Sequence, residues 1–174
     1  MKKIFFLLLL LIFSACADVS LPTAESVTLP AQNAFPFRFS TEDLYGNTVT
    51  DASLGGKDFY FVYYWTTWCP SCVSGMPGLA QLAEEYGDRV GFITLLGDFS
   101  TAGENAIRIT ENAGASFSTV DARHGEFAPL MNLLNSGFVP TTVLLDANGN
   151  VIGEQIVGSN LDVFTAAIEG ALKQ

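Results

Sequence analysis

The residues of this sequence best placed to do chemistry are two cysteines in the segment Cys69-Pro70-Ser71-Cys72. Two thiols at this spacing can open and close a disulfide, and can therefore exchange disulfides with other molecules. Proline suits the first position of a helix, so we predict that Pro70 begins a helix with Cys69 as its N-cap. The amides of the first turn and the helix dipole should then lower the pKa of Cys69. We therefore assign Cys69 as the attacking thiol and Cys72 as the resolving thiol.

Other roles for the cysteine pair fit the sequence less well. A zinc site needs about four ligands, and outside the pair the sequence offers only Cys16 and His124, so we expect no metal. A purely structural disulfide around so short a loop would add little stability. His124 stands between Arg123 and Gly125, a setting more typical of a solvated loop residue than of a catalytic base.

The composition restricts the class of protein. The chain has 174 residues, 49% of them hydrophobic, which allows one domain with a sizeable core. The net charge of −10 disfavours binding to nucleic acid and direct electrostatic binding to anionic lipid. We interpret the acidic residues as a solvated surface, and we expect a monomer.

The N-terminus has the pattern of an export signal. Lys2 and Lys3 precede an apolar run at 4–13, which is too short to cross a bilayer comfortably. The following Phe13-Ser14-Ala15-Cys16 resembles a bacterial lipobox, in which the cysteine is lipidated, although leucine is usual in place of Phe13. Ordinary signal cleavage at these small residues, which would release a soluble protein, is the alternative.

These features predict three parts of the chain. Residues 1–15 are the expected signal peptide, and 16–33 a flexible tether that begins with the lipidated Cys16 and is rich in Ala, Ser, Thr and Pro. The expected folded domain is 34–174. An exported domain lies in a compartment that tolerates disulfides, and its only two cysteines imply a pair that cycles rather than a permanent bridge.

The hydrophobic pattern behind the tether alternates strands and helices. The aromatic run at 59–65 carries no charge and should lie in the middle of a sheet. Further strands are predicted at 35–39, 48–50, 90–96, 118–120, 141–146 and 151–157. Helices are predicted from Pro70 onward with a kink at Pro77, and at 104–112, 126–134 and 161–172, the last with Asn160 as N-cap. This order favours an α/β fold with one mixed central sheet and helices on both faces.

Two motifs resemble those of a known family. The segment Trp65-Thr66-Thr67-Trp68-Cys69-Pro70-Ser71-Cys72, with Pro77 after it, and the segment Gly137-Phe138-Val139-Pro140-Thr141-Thr142 resemble the TlpA-type thioredoxin-like family, which includes the ResA-like proteins. The resemblance covers 35–174 and implies a thioredoxin-like fold, membrane anchoring and thiol-disulfide oxidoreductase activity. It also implies a cis Val139-Pro140 bond that faces the cysteines.

The resemblance suggests further site residues. With Pro140 cis, the backbone of Val139 should be free to bind an extended substrate strand. Trp68 is expected as an exposed aromatic side chain beside the sulfur, whereas Trp65 and the phenylalanines at 35–39 are expected in the core. Pro70 and Ser71 are expected to influence the redox potential.

Two positions depart from related proteins. Thioredoxin has a buried aspartate where this chain has Tyr63, and ResA-like members have a glutamate where it has Gly75. Either acid could take the proton of Cys72, so its acceptor is unassigned here. Water, Asp98 or Glu126 could serve, and the sequence does not choose among them.

The resulting hypothesis is an extracytoplasmic, lipid-anchored oxidoreductase that reduces disulfides of exported proteins, such as apocytochrome c or an oxidised repair enzyme. A membrane thiol carrier should supply the electrons, because the sequence has no nucleotide or flavin motif and we expect no cofactor besides the Cys69-Cys72 disulfide. The alternatives are a peroxidase of the same fold and a non-catalytic binding module with a closed disulfide. The Pro-x-x-x-Thr-x-x-Cys context of peroxiredoxins is absent before Cys69.

Overall fold

A computed structural model describes residues 35–173. The strands are β1 (Ser40–Glu42), β2 (Thr48–Thr50), β3 (Phe59–Trp65), β4 (Val90–Leu96), β5 (Ser118–Asp121), β6 (Thr141–Asp146) and β7 (Val151–Val157). The helices are α1 (Asp51–Leu54), α2 (Pro70–Tyr86), α3 (Phe99–Ala113), α4 (Ala128–Leu133) and α5 (Leu161–Ala171), with a 3₁₀ turn at Gly125–Phe127. The expected signal peptide, Cys16 and the tether lie outside the described residues.

The central sheet has five strands in the order β5-β4-β3-β6-β7. β3 pairs in parallel with β4, and β4 with β5, whereas β6 runs antiparallel to both β3 and β7. β1 and β2 form a separate antiparallel pair. The aromatic strand β3 is therefore central, as its uncharged sequence predicts. The cysteine segment follows its carboxyl end, where the parallel strands of an open α/β sheet commonly present a binding site.

Alternate side chains of β3 enter two different cores. Phe61, Tyr63 and Trp65 face the core formed with α2, α3 and α5. Tyr60 and Val62 face the opposite core, which includes α4 and the N-terminal aromatic segment. This period of two is the geometry of a strand buried on both faces. The predicted mixed sheet with helices on both faces is confirmed.

The N-terminal aromatic segment is the clearest local error of the sequence prediction. Residues 35–39 do not form a strand, and β1 begins only at Ser40. The backbone amide of Phe35 donates to the carbonyl of Asp51, and Pro36 has no amide hydrogen to contribute to a ladder. The alternation nevertheless predicted the burial of Phe35 and Phe39, which are in the core, whereas Phe37 is only partly buried against it.

The helix predictions differ from the structure mainly at their ends. α3 begins at Phe99 rather than at the predicted 104, with an irregular residue at Ala102 (φ −135°, ψ 18°). α1 was not predicted, because four residues are too short for a helical period; it is held by reciprocal hydrogen bonds between Thr50 and Ser53. α2 continues through Pro77, and Asn160 caps α5 as predicted.

Candidate active site

The first turn of α2 holds Cys69 in the predicted position. Cys69 is the N-cap residue, Pro70 opens the helix, and the backbone amide of Cys72 donates a hydrogen bond to the Cys69 sulfur at 3.3 Å. Cys69 and Cys72 are joined as a disulfide, with Cα atoms 5.3 Å apart. Cys72 is fully buried, and 4% of Cys69 remains exposed. The more accessible of the two cysteines is therefore the one that we assigned as the attacking thiol.

A second donor reaches the Cys69 sulfur from Ser71. The Ser71 hydroxyl oxygen lies 3.3 Å from Cys69 Sγ. A sulfur in a disulfide carries no hydrogen, so the hydroxyl is the donor in this contact. Two hydrogen-bond donors thus point at one sulfur, an arrangement that stabilises a thiolate more than a thiol.

The turn before Cys69 is fixed by Asp98, which follows β4. The Asp98 carboxylate accepts hydrogen bonds from the backbone amide of Thr67, at 3.1 and 3.2 Å, and from the Thr67 hydroxyl at 2.6 Å. Three contacts to one residue anchor the segment that carries Trp68 and Cys69. Asp98 is therefore engaged in holding this turn.

The Val139-Pro140 segment faces the cysteines. The peptide bond is cis, and the Val139 carbonyl oxygen lies 3.4 Å from Cys69 Sγ. Within residues 35–173, the backbone amide of Val139 donates no hydrogen bond. The cis bond expected from the family resemblance is confirmed, and the Val139 backbone lies directly beside the candidate nucleophile.

Two exposed aromatic side chains lie in the segments that meet at the sulfur. Trp68 immediately precedes Cys69 and is 69% exposed, as expected, whereas Trp65 is fully buried. Phe138 immediately precedes Val139 and is 67% exposed. We define Trp68 and Phe138 as the aromatic rim.

Phe138 had no assigned role in the sequence analysis, although it lies inside one of the quoted motifs. Its segment is fixed by the Thr141 hydroxyl, which donates to the Phe138 carbonyl at 2.7 Å, and by the Phe138 amide, which donates to Ser136 Oγ at 3.1 Å. The sequence signal that could have identified Phe138 is a large apolar residue directly after a glycine in the loop before Pro140.

The carboxylates considered as proton acceptors for Cys72 have other partners. Asp98 binds Thr67, and Glu126 accepts a hydrogen bond from the backbone amide of Ser40 at 2.9 Å. Across residues 35–173, no hydrogen bond joins a carboxylate to Cys72. His124 is half-exposed, with Nδ1 3.7 Å from Glu126. None of these three side chains has a hydrogen bond to either cysteine in the described part of the chain.

Tyr63, at the position where thioredoxin has an aspartate, is fully buried in the same core as Cys72. Its hydroxyl has no hydrogen-bond partner among residues 35–173. Burial raises the pKa of Tyr63 above its ordinary value, because the charged phenolate would be desolvated. Tyr63 therefore stays neutral at physiological pH and does not replace the missing carboxylate.

Gly75 stands where ResA-like members have a glutamate, and Ser159 occupies the adjacent space. A Cβ atom at position 75 would overlap the side chain of Ser159. Ser159 in turn donates a hydrogen bond to the Ser71 carbonyl at 2.8 Å. The sequence analysis assigned no role to Ser159, because its contact with α2 is long-range.

Two further properties of the described residues concern ions and membranes. Among residues 35–173, no group of three His, Cys, Asp or Glu side chains could hold a metal ion. No helix in that range combines the length and apolar character needed to cross a membrane.

Comparisons with known proteins agree with this geometry. The Redoxin family profile matches residues 30–169. The chain is 30% identical to "Thiol-disulfide oxidoreductase ResA" of Geobacillus kaustophilus over 65% of its own length, and it spans 62% of that relative, less than two thirds. It is 29% identical to the protein of the same name from Bacillus thuringiensis, over 78% of this chain and 73% of that one.

A solved structure gives the same result for the fold. A thiol:disulfide interchange protein of the thioredoxin family from Chlorobium tepidum is 28% identical, with a TM-score of 0.66, over 83% of this chain and 99% of that one. The resemblance predicted from the two motifs is therefore confirmed. The chain belongs to the redoxin family, and it has the thioredoxin-like fold and the cysteine pair of a ResA-like thiol-disulfide oxidoreductase.

Proposed function

We propose that this protein is an extracytoplasmic thiol-disulfide oxidoreductase, anchored to a bacterial membrane by lipid on Cys16, that reduces disulfides in exported proteins. The observation that carries the proposal is the environment of the Cys69 sulfur. It is bonded to Cys72 and receives hydrogen bonds from the Cys72 amide and the Ser71 hydroxyl, and it lies beside the Val139 carbonyl.

The reaction takes two exchange steps. In the reduced protein, the Cys69 thiolate attacks one sulfur of a substrate disulfide, forms a mixed disulfide, and expels the other substrate sulfur as a thiolate. Cys72, as a thiolate, then attacks Cys69 Sγ, which releases the second substrate sulfur and forms the Cys69–Cys72 bond. The substrate gains two electrons and two protons, and the protein becomes the disulfide form described above.

The substrate is an extended segment around a cystine. The Val139 amide and carbonyl offer a donor and an acceptor to such a segment next to Cys69. The aromatic rim, Trp68 and Phe138, offers apolar contacts on either side. Pro70 shapes the first turn, and Ser71 sets the stability of the thiolate, so both influence the redox potential.

The N-terminal part delivers the domain to its substrates. Residues 1–15 direct export, and Cys16 receives the lipid. Residues 16–33 tether the domain of 34–174 to the membrane, and this domain acts as a monomer. A membrane thiol carrier returns the Cys69–Cys72 disulfide to the dithiol. Apocytochrome c cysteines and oxidised repair enzymes are the substrates that the family resemblance suggests.

Trapping of mixed disulfides tests the assigned roles. Cys72→Ser leaves the attacking thiol without its resolving partner, so it should accumulate mixed disulfides with exported proteins in the native host. Cys69→Ser is the matched control and should trap far less. Non-reducing gels followed by mass spectrometry measure both. Equal trapping by the two variants, or none by Cys72→Ser, would contradict the assignment.

Two measurements separate the alternatives. A closed, non-catalytic disulfide should have a reduction potential below about −300 mV, whereas a pair that cycles should have a higher one. Rapid consumption of hydrogen peroxide that depends on Cys69 alone would indicate a peroxidase instead. Cys16→Ala should move the protein from the membrane to the soluble fraction; unchanged fractionation would remove the lipid anchor from the proposal.

A further inference from the structure

We infer that the Ser159 hydroxyl lowers the pKa of Cys69 through the peptide group that joins Ser71 to Cys72. Ser159 is a positioning residue here, because it touches neither sulfur. The inference rests on the proposed function, in which Cys69 reacts as a thiolate.

The contact runs through both ends of one peptide group. Ser159 Oγ donates to the Ser71 carbonyl oxygen at 2.8 Å. The nitrogen of that same peptide group is the backbone nitrogen of Cys72, whose hydrogen is donated to Cys69 Sγ at 3.3 Å. The three groups therefore form a chain of two hydrogen bonds that ends at the reactive sulfur.

Such a chain acts on the sulfur in two ways. A donor on the carbonyl polarises the amide and makes its N–H a stronger donor, because hydrogen bonds in series reinforce one another by about 10–30%. The same donor restrains rotation of the peptide group, so the N–H keeps its direction toward the sulfur. Both effects favour the thiolate over the thiol, and both lower the pKa of Cys69.

Ser159 is itself held firmly. The preceding Gly158 donates its backbone N–H to the Pro140 carbonyl at 2.9 Å, and the following Asn160 caps α5 by accepting from the amides of Asp162 and Val163. The segment that carries Ser159 thus links the Pro140 loop, the start of α5 and the start of α2. These contacts of its neighbours restrain the backbone at Ser159 and keep its hydroxyl close to the Ser71 carbonyl.

Gly75 supplies the space that this contact needs. A Cβ atom at position 75 would overlap Ser159 Cβ and would lie 2.9 Å from Ser159 Oγ. Glycine weakens a helix relative to alanine, so Gly75 lowers the stability of α2. The close approach of Ser159 explains why a residue without a side chain stands at this position.

Ser74 provides a matched comparison. Its hydroxyl also donates to the Ser71 carbonyl, but at the longer distance of 3.3 Å. The longer contact should transmit less polarisation. Removing the Ser74 hydroxyl should therefore change the pKa of Cys69 less than removing the Ser159 hydroxyl.

The test is the pKa of Cys69 in the reduced protein, from the rate of alkylation by iodoacetamide as a function of pH. Ser159→Ala should raise this pKa by about 0.1–0.3 unit, which is 10–30% of the shift of about one unit expected for a direct donor. At a pH below the pKa, the alkylation rate should then fall by a factor of up to about two. Ser74→Ala should shift it by less than half as much. Ser71→Ala removes a direct donor to the sulfur and should shift it by about one unit.

Glycine variants separate the hydroxyl from packing. Both Ser159→Ala and Ser159→Gly lack the hydroxyl, and only Ser159→Gly also lacks Cβ. If the hydroxyl controls the sulfur, the two variants should give the same pKa of Cys69. Gly75→Ala should displace Ser159 and raise the pKa, and it should add nothing further in the Ser159→Gly background. Circular dichroism confirms that each variant is folded.

The outcomes are decisive in either direction. A wild-type pKa in both Ser159→Ala and Ser159→Gly would overturn the inference, as would an equal shift in Ser74→Ala. A shift in Ser159→Gly alone would also overturn it, because packing rather than the hydroxyl would then control the sulfur. Failure of the wild-type protein to exchange disulfides would refute the proposed function instead, and it is measured separately from the pKa comparison.

Discussion

The buried Tyr63 hydroxyl makes a sharp prediction, because its side chain is fully inaccessible and its oxygen has no partner among residues 35–173. Replacement of Tyr63 by phenylalanine removes this oxygen and keeps the ring. The ring is held against Phe164, with centroids 6.1 Å apart and planes at 90°. The variant should therefore be more stable than the wild-type protein.

The magnitude follows from the cost of burying an unpaired polar group. An unsatisfied buried donor costs about 1–3 kcal/mol of folding free energy. The variant loses the few van der Waals contacts of one oxygen, which offsets part of the gain. A net stabilisation of about 1 kcal/mol remains, and for a chain of this size it raises the Tm by about 2–4 °C.

Thermal unfolding of the oxidised protein, followed by circular dichroism, measures this change. Tyr45→Phe is the matched control, because Tyr45 is 55% exposed, so the Tm of this variant should not change. A lower Tm for Tyr63→Phe would show that the hydroxyl is paired, for instance through water. Slower release of mixed disulfides in the same variant would show that Tyr63 serves Cys72, and our account of this position would be wrong.

Two further predictions concern the surroundings of the cysteines. Trp68→Ala and Phe138→Ala should each lower kcat/KM for a protein disulfide such as insulin about fivefold, as for a contact of about 1 kcal/mol. The activity of both variants on a small aliphatic disulfide should be unchanged. As a control, Tyr45→Ala should keep the wild-type activity on insulin. Equal losses on insulin and on the small disulfide would show that the aromatic rim does not bind substrate. Asp98→Ala should lose about 1–2 kcal/mol in urea unfolding, because three hydrogen bonds to Thr67 disappear, and an unchanged midpoint would show that the turn is held by other contacts.

The sequence predicted those features that depend on local patterns. The uncharged aromatic run of β3 indicated a central strand, and Pro70 after Cys69 indicated the N-cap, because both signals lie within a few adjacent residues. The cis Val139-Pro140 bond came from the family resemblance rather than from physical reasoning, since the prior for such a bond is only about 5–6%.

The missed contacts of Ser159 and Asp98 join residues that are far apart in the chain. Ser159 meets Ser71 across 88 positions, and Asp98 meets Thr67 across 31. No hydrophobic period or turn signal encodes such a pair, because each partner is placed by a different element. The sequence could propose Asp98 as a proton acceptor, but only the fold shows that its carboxylate is occupied by the turn before Trp68.

The two departures from related proteins have a common consequence. Tyr63 is neutral and Gly75 has no side chain, and in the described part of the chain both cysteines lie in an apolar core where the only hydrogen-bond donors to Cys69 are the Cys72 amide and the Ser71 hydroxyl. Neutral donors stabilise a thiolate at Cys69, but they do not take a proton from Cys72. Water and the substrate thiolate that leaves in the first exchange step are the acceptors that remain for the proton of Cys72. The two acceptors make different predictions: release of substrate should depend on the basicity of its first leaving thiolate when that thiolate takes the proton, and should not when water takes it.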